Sequence, residues 1–545
     1  MTSARGVLAV LAAAAMCTLT ACGSDTPAPG ARAGGGAKLT VATVQSWNGF
    51  NPYVPDQGNT IGLGLAHAIY PSAFDAQPDQ TAALNTDLLE SATVTSEKPQ
   101  TVTYKISQKA AWSDGTPITA DDFVFLWKHL NGSDPGLLVS SAIGYKQISS
   151  VAADGDPKTV KVVFDSPFAD WQSLFSMLLP AHHMASLGDD TKAWNTGLAS
   201  APPPSGGPYR IAENRPDEYL RLTANPAWYG AKPKVEEMTV RFFGDDQAVV
   251  QALASGEAGY AFNLAASRAL IDQIRALPNV TTDIVPTTNQ QYINTQFSRP
   301  GADDLAVRQA IATVVDPGKV ASTVFGGDVT KLLTTHHVYA PSSPYYVDNR
   351  PAGFGSGDAA AATSILEKAG YAKGSDGVYA RDGRKLELTY IARAEDQLAK
   401  QVGVILQDEL KKIGIAIKIK TPASADWFKV LGSGDYDLGL GNYPAHPFPV
   451  SWYSALYTCK GGYNFVKYCD EEVDRDYNAA YAELDPKARA ELMNTIEKRL
   501  WADVANIPMW EAPQVVTRSS GITGVRAQLP REYQLLDAAQ WNVAG

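Results

Sequence analysis

The sequence predicts an α/β protein with a parallel sheet, divided into two or three lobes. The chain has 545 residues, which is more than a single hydrophobic core usually supports. In its C-terminal half a strand, a helix and a second strand follow one another, a pattern typical of a parallel β–α–β unit. The segment "APPPSGGPYRI" (201–211) marks a boundary, because its prolines and glycines fit neither a helix nor a central strand. Hydrophobic residues make up 45% of the chain, so most of it is expected to fold.

The N-terminal half contains both strand-like and helical patterns. A helix is predicted from "TADDFVFLWKHL" (119–130), because Thr119 can cap the first backbone N–H groups and Asp122 lies three residues later. Its apolar side chains recur at helical spacing and are expected to pack in a core: Phe123, Leu126, Trp127 and Leu130. Alternating apolar residues predict strands in "KLTVATV" (38–44), "QTVTYKI" (100–106) and "KTVKVVF" (158–164).

The C-terminal half holds the parallel unit. The segments "KLELTYI" (385–391) and "GIAIKIK" (414–420) alternate as strands, and residues 396–413 between them place their apolar side chains on one helical face. "DYDLGLGNY" (435–443) predicts a further strand, which leads into the proline-rich loop "YPAHPFPVSW" (443–452). Ligands of open α/β sheets bind at the carboxyl ends of strands, so this loop is predicted to border a binding site.

The N-terminus has the pattern of an exported lipoprotein. Arg5 precedes the apolar stretch "VLAVLAAAAMCTL" (7–19), which is short for a membrane span. The following "LTAC" resembles the lipobox of bacterial lipoproteins, in which the cysteine, here Cys22, is diacylated and becomes the mature N-terminus. We expect a signal peptide at 1–21, a flexible linker at 22–37 and a lipid anchor at the extracytoplasmic face of the cell membrane. A plain secretory signal with a chance cysteine is the alternative.

Two cysteines remain inside the predicted fold, Cys459 and Cys469. An even pair in an exported protein favours a disulfide, and the alternative of a metal pair has neither CxxC spacing nor neighbouring histidines to support it. Two histidine pairs also suggest a metal, but no carboxylate accompanies them at ligand spacing, so they are interpreted as structural: His182–His183 and His336–His337. No metal and no cofactor are predicted.

Charge and motifs exclude several function classes. The formal net charge is −11 and no run of lysines or arginines is present, so nucleic acid is not an expected partner. No GxSxG, HExxH, GxxxxGK[ST] or GxGxxG motif occurs, which argues against an enzyme. A hydrolase whose triad is scattered along the chain stays open as an alternative.

Several segments, in their order and spacing, resemble the bacterial extracellular solute-binding proteins of family 5. These are the oligopeptide- and dipeptide-binding lipoproteins of ATP-binding cassette (ABC) importers, and the likeness covers nearly all of the mature chain. The segments that carry it are "WSDGTPITADDFVFLW" (112–127), "GPYRI" (207–211), "LRLTANPAWYGAKPKVEEMTVRFF" (220–243), "VQALASGEAGYAF" (250–262), "DDLAVRQAIA" (303–312) and "SILEKAGY" (364–371).

The resemblance implies an α/β, two-lobed clamshell of the periplasmic-binding-protein type (type II), with an extra subdomain. Lobe I would be discontinuous, with the subdomain inserted in it and lobe II following. The implied ranges are 38–82, 205–287 and 512–545 for lobe I, 83–204 for the subdomain and 288–511 for lobe II. A ligand enclosed between the lobes would stabilise the closed state.

The resemblance also implies ligand-binding residues: Asn263, Trp427, Asn442, Tyr443, His446 and Trp510. In peptide-binding relatives an aspartate that pairs with the ligand's α-amino group occupies the position of His446. An arginine that meets the ligand carboxylate matches Leu440, so both charged anchors are replaced here. Trp427 and Trp510 also fit simple packing, and His446 also fits a solvated loop.

The predicted function is therefore a lipid-anchored, monomeric substrate-binding protein that delivers peptides or peptide-like solutes to an ABC permease. Because histidine cannot attract an ammonium group as aspartate does, ligands with a blocked or acidic amino end are expected to bind better than free-amine peptides. The alternative within the same fold is a non-transport lipoprotein that acts in envelope lipid or glycolipid assembly.

Overall fold

The computed structural model describes residues 36–199, 201–264, 266–423, 426–444, 448–526 and 533–544. The predicted signal peptide and Cys22 lie outside these residues, as does His446. In the described part of the chain no helix has the length and apolar character needed to cross a membrane.

The structure contains these strands: β1 Ala37–Thr43, β2 Phe74–Ala76, β3 Ala82–Leu84, β4 Leu89–Glu97, β5 Gln100–Ile106, β6 Ile148–Asp154, β7 Asp156–Phe164, β8 Tyr209–Arg215, β9 Tyr219–Ala224, β10 Val235–Phe242, β11 Tyr260–Leu264, β12 Val280–Thr295, β13 Ala372–Lys373, β14 Tyr379–Arg381, β15 Arg384–Lys385, β16 Glu387–Ile391, β17 Ala416–Lys420, β18 Leu438–Pro444, β19 Asn506–Ser519, β20 Ile522–Thr523 and β21 Asn542–Val543.

It contains these α-helices: α1 Thr60–Ile69, α2 Ala120–Leu130, α3 Ala181–Ser186, α4 Asp190–Lys192, α5 Asp246–Ser255, α6 Arg268–Arg275, α7 Leu305–Val314, α8 Pro317–Phe325, α9 Ala359–Lys368, α10 Gln397–Lys412, α11 Trp427–Ser433, α12 Pro449–Tyr457, α13 Glu471–Ala482 and α14 Pro486–Asp503.

A ten-stranded sheet runs through the molecule in the order β17-β16-β18-β12-β19-β11-β1-β10-β9-β8. The predicted β–α–β unit is confirmed, because β16 pairs with β17 in parallel and α10 lies between them in sequence. The sheet as a whole is mixed, since β12 pairs antiparallel with both β18 and β19. The prediction of a parallel sheet therefore holds for the strands around α10 and at β1, which pairs in parallel with β10 and β11.

Two long strands connect the two halves of this sheet. The β12–β19 ladder extends from Val280 opposite Ser519 to Asn294 opposite Asn506. One part of β19 also pairs with β11, whereas the last residues of β12 pair with β18. The ladder changes register after Pro286, which lies opposite Pro513. The predicted lobe boundaries at 287/288 and 511/512 fall in this stretch and stay predictions.

A separate four-stranded antiparallel sheet, in the order β4-β5-β7-β6, is packed against α2. The predicted capping box of α2 is confirmed: the Thr119 N–H donates to Asp122 Oδ2 at 2.9 Å, and the Thr119 hydroxyl accepts from the first turn. Phe123 and Leu126 are fully buried as predicted, whereas Trp127 is only partly buried. This sheet lies within the range predicted for the subdomain.

Candidate functional site

A cleft of about 300 Å³ opens beside β18, at the carboxyl end of the parallel unit. Its described lining residues run from Gln291 to Phe465, so all of them belong to the range predicted for lobe II. Seven of these nineteen residues are aromatic: Trp427, Phe428, Tyr436, Tyr443, Trp452, Tyr463 and Phe465. Pockets that bind small molecules are typically apolar and aromatic with a few polar groups, and this cleft has that composition.

Strand β18 forms the floor of the cleft. Gly441 has room for no side chain, because a Cβ there would lie 2.4 Å from Asn294 Nδ2 and 3.0 Å from the Tyr443 ring. Without that Cβ, the Asn294 Nδ2–H donates to the Tyr443 hydroxyl at 2.9 Å. Burial raises the pKa of Tyr443, so its hydroxyl keeps its proton at neutral pH. Tyr443 therefore presents a fixed, neutral ring to the cleft.

One buried polar atom at the floor of the cleft has no hydrogen-bond partner among the described residues. The Asn294 side chain is 9% exposed and its Oδ1 has no hydrogen-bond partner in the described part of the chain. A buried acceptor without a partner is costly, so a bound donor would be stabilising here. Asn294 thus offers an acceptor to an N–H or O–H group of a ligand.

The charged groups of the cleft are Arg393 and Asp396, which follow β16 and precede α10. The Asp396 carboxylate caps α10 by accepting the Ala399 N–H at 2.9 Å, and the positive helix N-terminus stabilises its charge. The Arg393 guanidinium lies over the Trp427 ring at 5.6 Å, and no carboxylate pairs with it among the described residues. The cleft therefore holds one guanidinium that stacks on an aromatic ring and one carboxylate that caps a helix.

Aromatic rings are exposed at the rim. Phe428 on α11 is 71% exposed and Tyr463 is 46% exposed, although large apolar side chains are normally covered. The Phe428 and Phe465 ring centroids are 6.4 Å apart, and the Trp452 and Tyr463 centroids are 5.4 Å apart. Exposed apolar surface gathered in one cleft is typical of a binding site.

The structure brings three of the predicted ligand residues together, since Trp427, Asn442 and Tyr443 all line the cleft. Trp510 does not line it: the side chain is fully buried, and its Nε1–H donates to Oε1 of Gln291, which does. Asn263 falls in β11, and its side chain lies outside the described part of the chain, as does all of His446.

The other polar and aromatic lining residues were not named from the sequence, although Trp452 ends the loop at 443–452 that was predicted to border the site. One signal was available for Arg393, because it follows directly on the predicted strand at 385–391, at a carboxyl end. Phe428, Tyr463 and Phe465 carried no local signal, since exposure of an aromatic residue depends on which elements surround it. Cys459 and Cys469, which flank the last two, are joined by a disulfide.

The histidine pairs, which the sequence analysis interprets as structural, have carboxylate partners that are distant in sequence. His182 Nε2 lies 2.8 Å from Asp114 Oδ2. His337 is fully buried, with Nδ1 2.9 Å from Glu497 Oε1 and Nε2 3.2 Å from the Asn506 carbonyl oxygen. Each ring nitrogen of His337 therefore lies within hydrogen-bond distance of an oxygen atom, and the histidine is held inside the fold. The described residues contain no group of three or more potential metal ligands.

Comparisons with known proteins agree with this architecture. The model of the bacterial extracellular solute-binding proteins, family 5, matches residues 83–465. The oligopeptide-binding protein OppA of Mycobacterium tuberculosis is 29% identical over 510 residues, which cover 90% of this chain and 83% of OppA. A probable monoacyl phosphatidylinositol tetramannoside-binding protein of the same organism, LpqW, is 29% identical over 405 residues, 68% of this chain and 62% of that protein.

Solved structures show the same fold. The periplasmic EDTA-binding protein EppA superposes with a TM-score of 0.85 at 28% identity, covering 94% of this chain and 97% of EppA. The oligopeptide-binding protein AppA of Bacillus subtilis, in complex with a nonapeptide, has a TM-score of 0.72 at 19% identity, covering 94% of this chain and 99% of AppA. The chain therefore has the two-lobed clamshell fold of the periplasmic binding proteins.

Proposed function

Because the chain belongs to family 5 of the bacterial extracellular solute-binding proteins, we propose that it captures a peptide or peptide-like solute outside the cytoplasm and delivers it to an ABC permease. The relatives named above are binding proteins, which supports binding without catalysis by this chain. The two lobes would have the boundaries predicted from the sequence, and a ligand in the cleft beside β18 would be covered when they close.

The observation that carries this proposal is the combination of groups in the cleft. The Asn294 Oδ1 suits an amide N–H, and the guanidinium of Arg393 suits a carboxylate. The aromatic walls suit apolar side chains. A peptide-like solute with an acidic end offers all three kinds of partner.

Native mass spectrometry of the protein purified without refolding tests this function. We expect a retained small molecule whose mass and fragmentation identify amide-linked residues, since clamshell binders enclose their ligands. Incubation with peptides is the control for catalysis: the peptides should be recovered intact. A shortened peptide would support the hydrolase alternative and contradict the proposal.

The likeness to LpqW favours a second candidate, the binding of an envelope glycolipid in a non-transport role. This candidate has less support than the first, because the chain covers 62% of the length of LpqW and 83% of the length of OppA. The same mass spectrum separates the two candidates. A retained acylated glycan would favour the second, and deletion of the gene would then leave peptide uptake unchanged.

The chain would be held at the membrane through lipid on Cys22, as its lipobox-like sequence indicates. Replacing Cys22 by alanine should release the protein to the medium. A Cys22→Ala protein that stayed in the membrane fraction after a salt wash would contradict lipid anchoring, and the Cys17→Ala variant is the matched control that should stay bound.

A further inference from the structure

One wall of the cleft is formed by a loop that a disulfide closes. Cys459 and Cys469 form a disulfide with their Cα atoms 4.4 Å apart, which makes residues 459–469 a closed loop. Tyr463 and Phe465 of this loop line the cleft. The disulfide and these two cleft aromatics thus belong to the same loop, although the sequence analysis did not connect them.

Hydrogen bonds within the loop and close packing against α12 also fix its conformation. Asn464 is buried, and its Nδ2–H group donates to the carbonyl oxygens of Thr458 at 2.9 Å and Tyr468 at 2.6 Å, while its Oδ1 accepts the Tyr468 N–H at 3.1 Å. Gly461 lies directly against α12, since a Cβ there would be 2.2 Å from the Ala455 carbonyl oxygen. A loop ordered in this way loses little entropy when a ligand binds.

The loop faces an aromatic side chain on the opposite wall. Phe428 projects from α11, and its ring centroid is 6.4 Å from that of Phe465. Tyr463 lies next to Phe465, with ring centroids 6.4 Å apart at an interplanar angle of 74°. Aromatic pairs attract each other at about 4.5–7 Å between centroids, and exposed rings at the rim can accept a further ring in the same geometry.

We propose that the loop closed by Cys459 and Cys469 determines specificity: it holds Tyr463 and Phe465 so that, with Phe428, they bind a planar aromatic group of the ligand. A Phe, Tyr or Trp side chain of a peptide is the chemical class that fits. The inference rests on the proposed function and adds the identity of a side chain to it. It also makes affinity depend on the disulfide.

Calorimetry with N-acetylated tripeptides of alanine tests this, with one residue replaced in turn by leucine, phenylalanine or tryptophan at each position. Leucine is the control for apolar size without a ring. At one position or more, the wild-type protein should bind the phenylalanine and tryptophan peptides about fivefold more tightly than the leucine peptide. Equal affinity for leucine and aromatic peptides at every position would overturn the inference.

Three variants locate the preference. Tyr463→Ala, whose side chain is already half exposed, and Cys459→Ser/Cys469→Ser should each reduce the preference to about twofold or less, since the rings are removed or released. Val404→Ala, at an exposed position of α10 outside the cleft, should leave it unchanged. Retention of the full preference by both loop variants would overturn the inference.

A reductant provides an independent measurement. It should lower the preference of the wild-type protein and leave the Cys459→Ser/Cys469→Ser variant unaffected; a wild-type protein that keeps its preference after verified reduction contradicts the role of the disulfide. Binding of tripeptides without aromatic preference would overturn this inference alone. No binding by any tripeptide would overturn the proposed function and the inference with it.

Discussion

Two aromatic clusters of this molecule use the same residue types in opposite ways. Around the four-stranded sheet, Tyr104, Phe123 and Phe175 form a fully buried group with ring centroids 4.9–5.6 Å apart. At the cleft, Phe428 and Tyr463 keep 71% and 46% of their surface exposed. The rings of the first cluster are covered by other residues of the protein, whereas those of the second are open to a ligand. Substitutions in the first cluster should therefore affect stability, and substitutions in the second should affect binding.

The largest effect is expected in the buried cluster. Phe123→Ala should lower the free energy of unfolding by about 3–5 kcal/mol, because it removes a ring from a close-packed core and leaves a cavity. Chemical denaturation measures this. The affinity of the folded variant for a cleft ligand should match that of the wild type. A large loss of affinity would show that the buried cluster also contributes to binding and would contradict the comparison.

The buried imidazole of His67, outside the two clusters, should make the stability of the protein depend on pH. His67 on α1 stacks on Tyr533 at 4.3 Å, and burial lowers its pKa from 6.5 to about 4. The unfolded chain therefore protonates His67 below about pH 6.5, whereas the folded chain does so only near pH 4. As the pH falls from 6.5 to 4, the free energy of unfolding of the wild type should decrease by about 3 kcal/mol relative to that of His67→Phe. Below pH 4 the difference should stay constant. Denaturation of both proteins across this range gives the difference curve, and parallel curves would contradict it.

In the cleft, Arg393→Gln should weaken binding of a peptide with a free carboxylate by about tenfold, since a charge-assisted hydrogen bond contributes about 1.5–3 kcal/mol. The same peptide with an amide end is the control and should lose little. Calorimetry of both peptides at two salt concentrations sharpens the result, because only the wild-type interaction with the carboxylate should weaken with salt. Equal losses for the two peptides would indicate a structural role for Arg393.

The smallest effect on stability is expected at the exposed rim. Phe428→Ala should change the free energy of unfolding by less than about 0.5 kcal/mol, as is usual for surface substitutions. Its effect should appear in affinity instead, as a loss of about three- to tenfold for an aromatic peptide. A destabilisation as large as that of Phe123→Ala would mean that Phe428 is a core residue and that the comparison is wrong.

The two clusters also differ in what the sequence could predict. Phe123 belongs to a helix whose start at Thr119 and apolar period are written in consecutive residues, and the structure confirms both. The β–α–β unit around α10 was predictable for the same reason. Phe428 and Tyr463 are exposed because α11 and the disulfide loop meet across a gap, and no local pattern encodes a gap. Trp427 was reached only through the resemblance to a family, whereas Tyr443 also begins the loop that its position at a strand end places beside a binding site.

The rung of the central ladder where Pro286 lies opposite Pro513 has a consequence for recombination. Neither proline carries an amide N–H, so this rung supplies no backbone donor to the ladder. A gene fusion that replaces residues 287–512 by the matching segment of a relative would therefore join the two proteins next to a rung without backbone donors, where the ladder also changes register. Related proteins could thus exchange residues 287–512, which carry the cleft, and keep the rest of the chain.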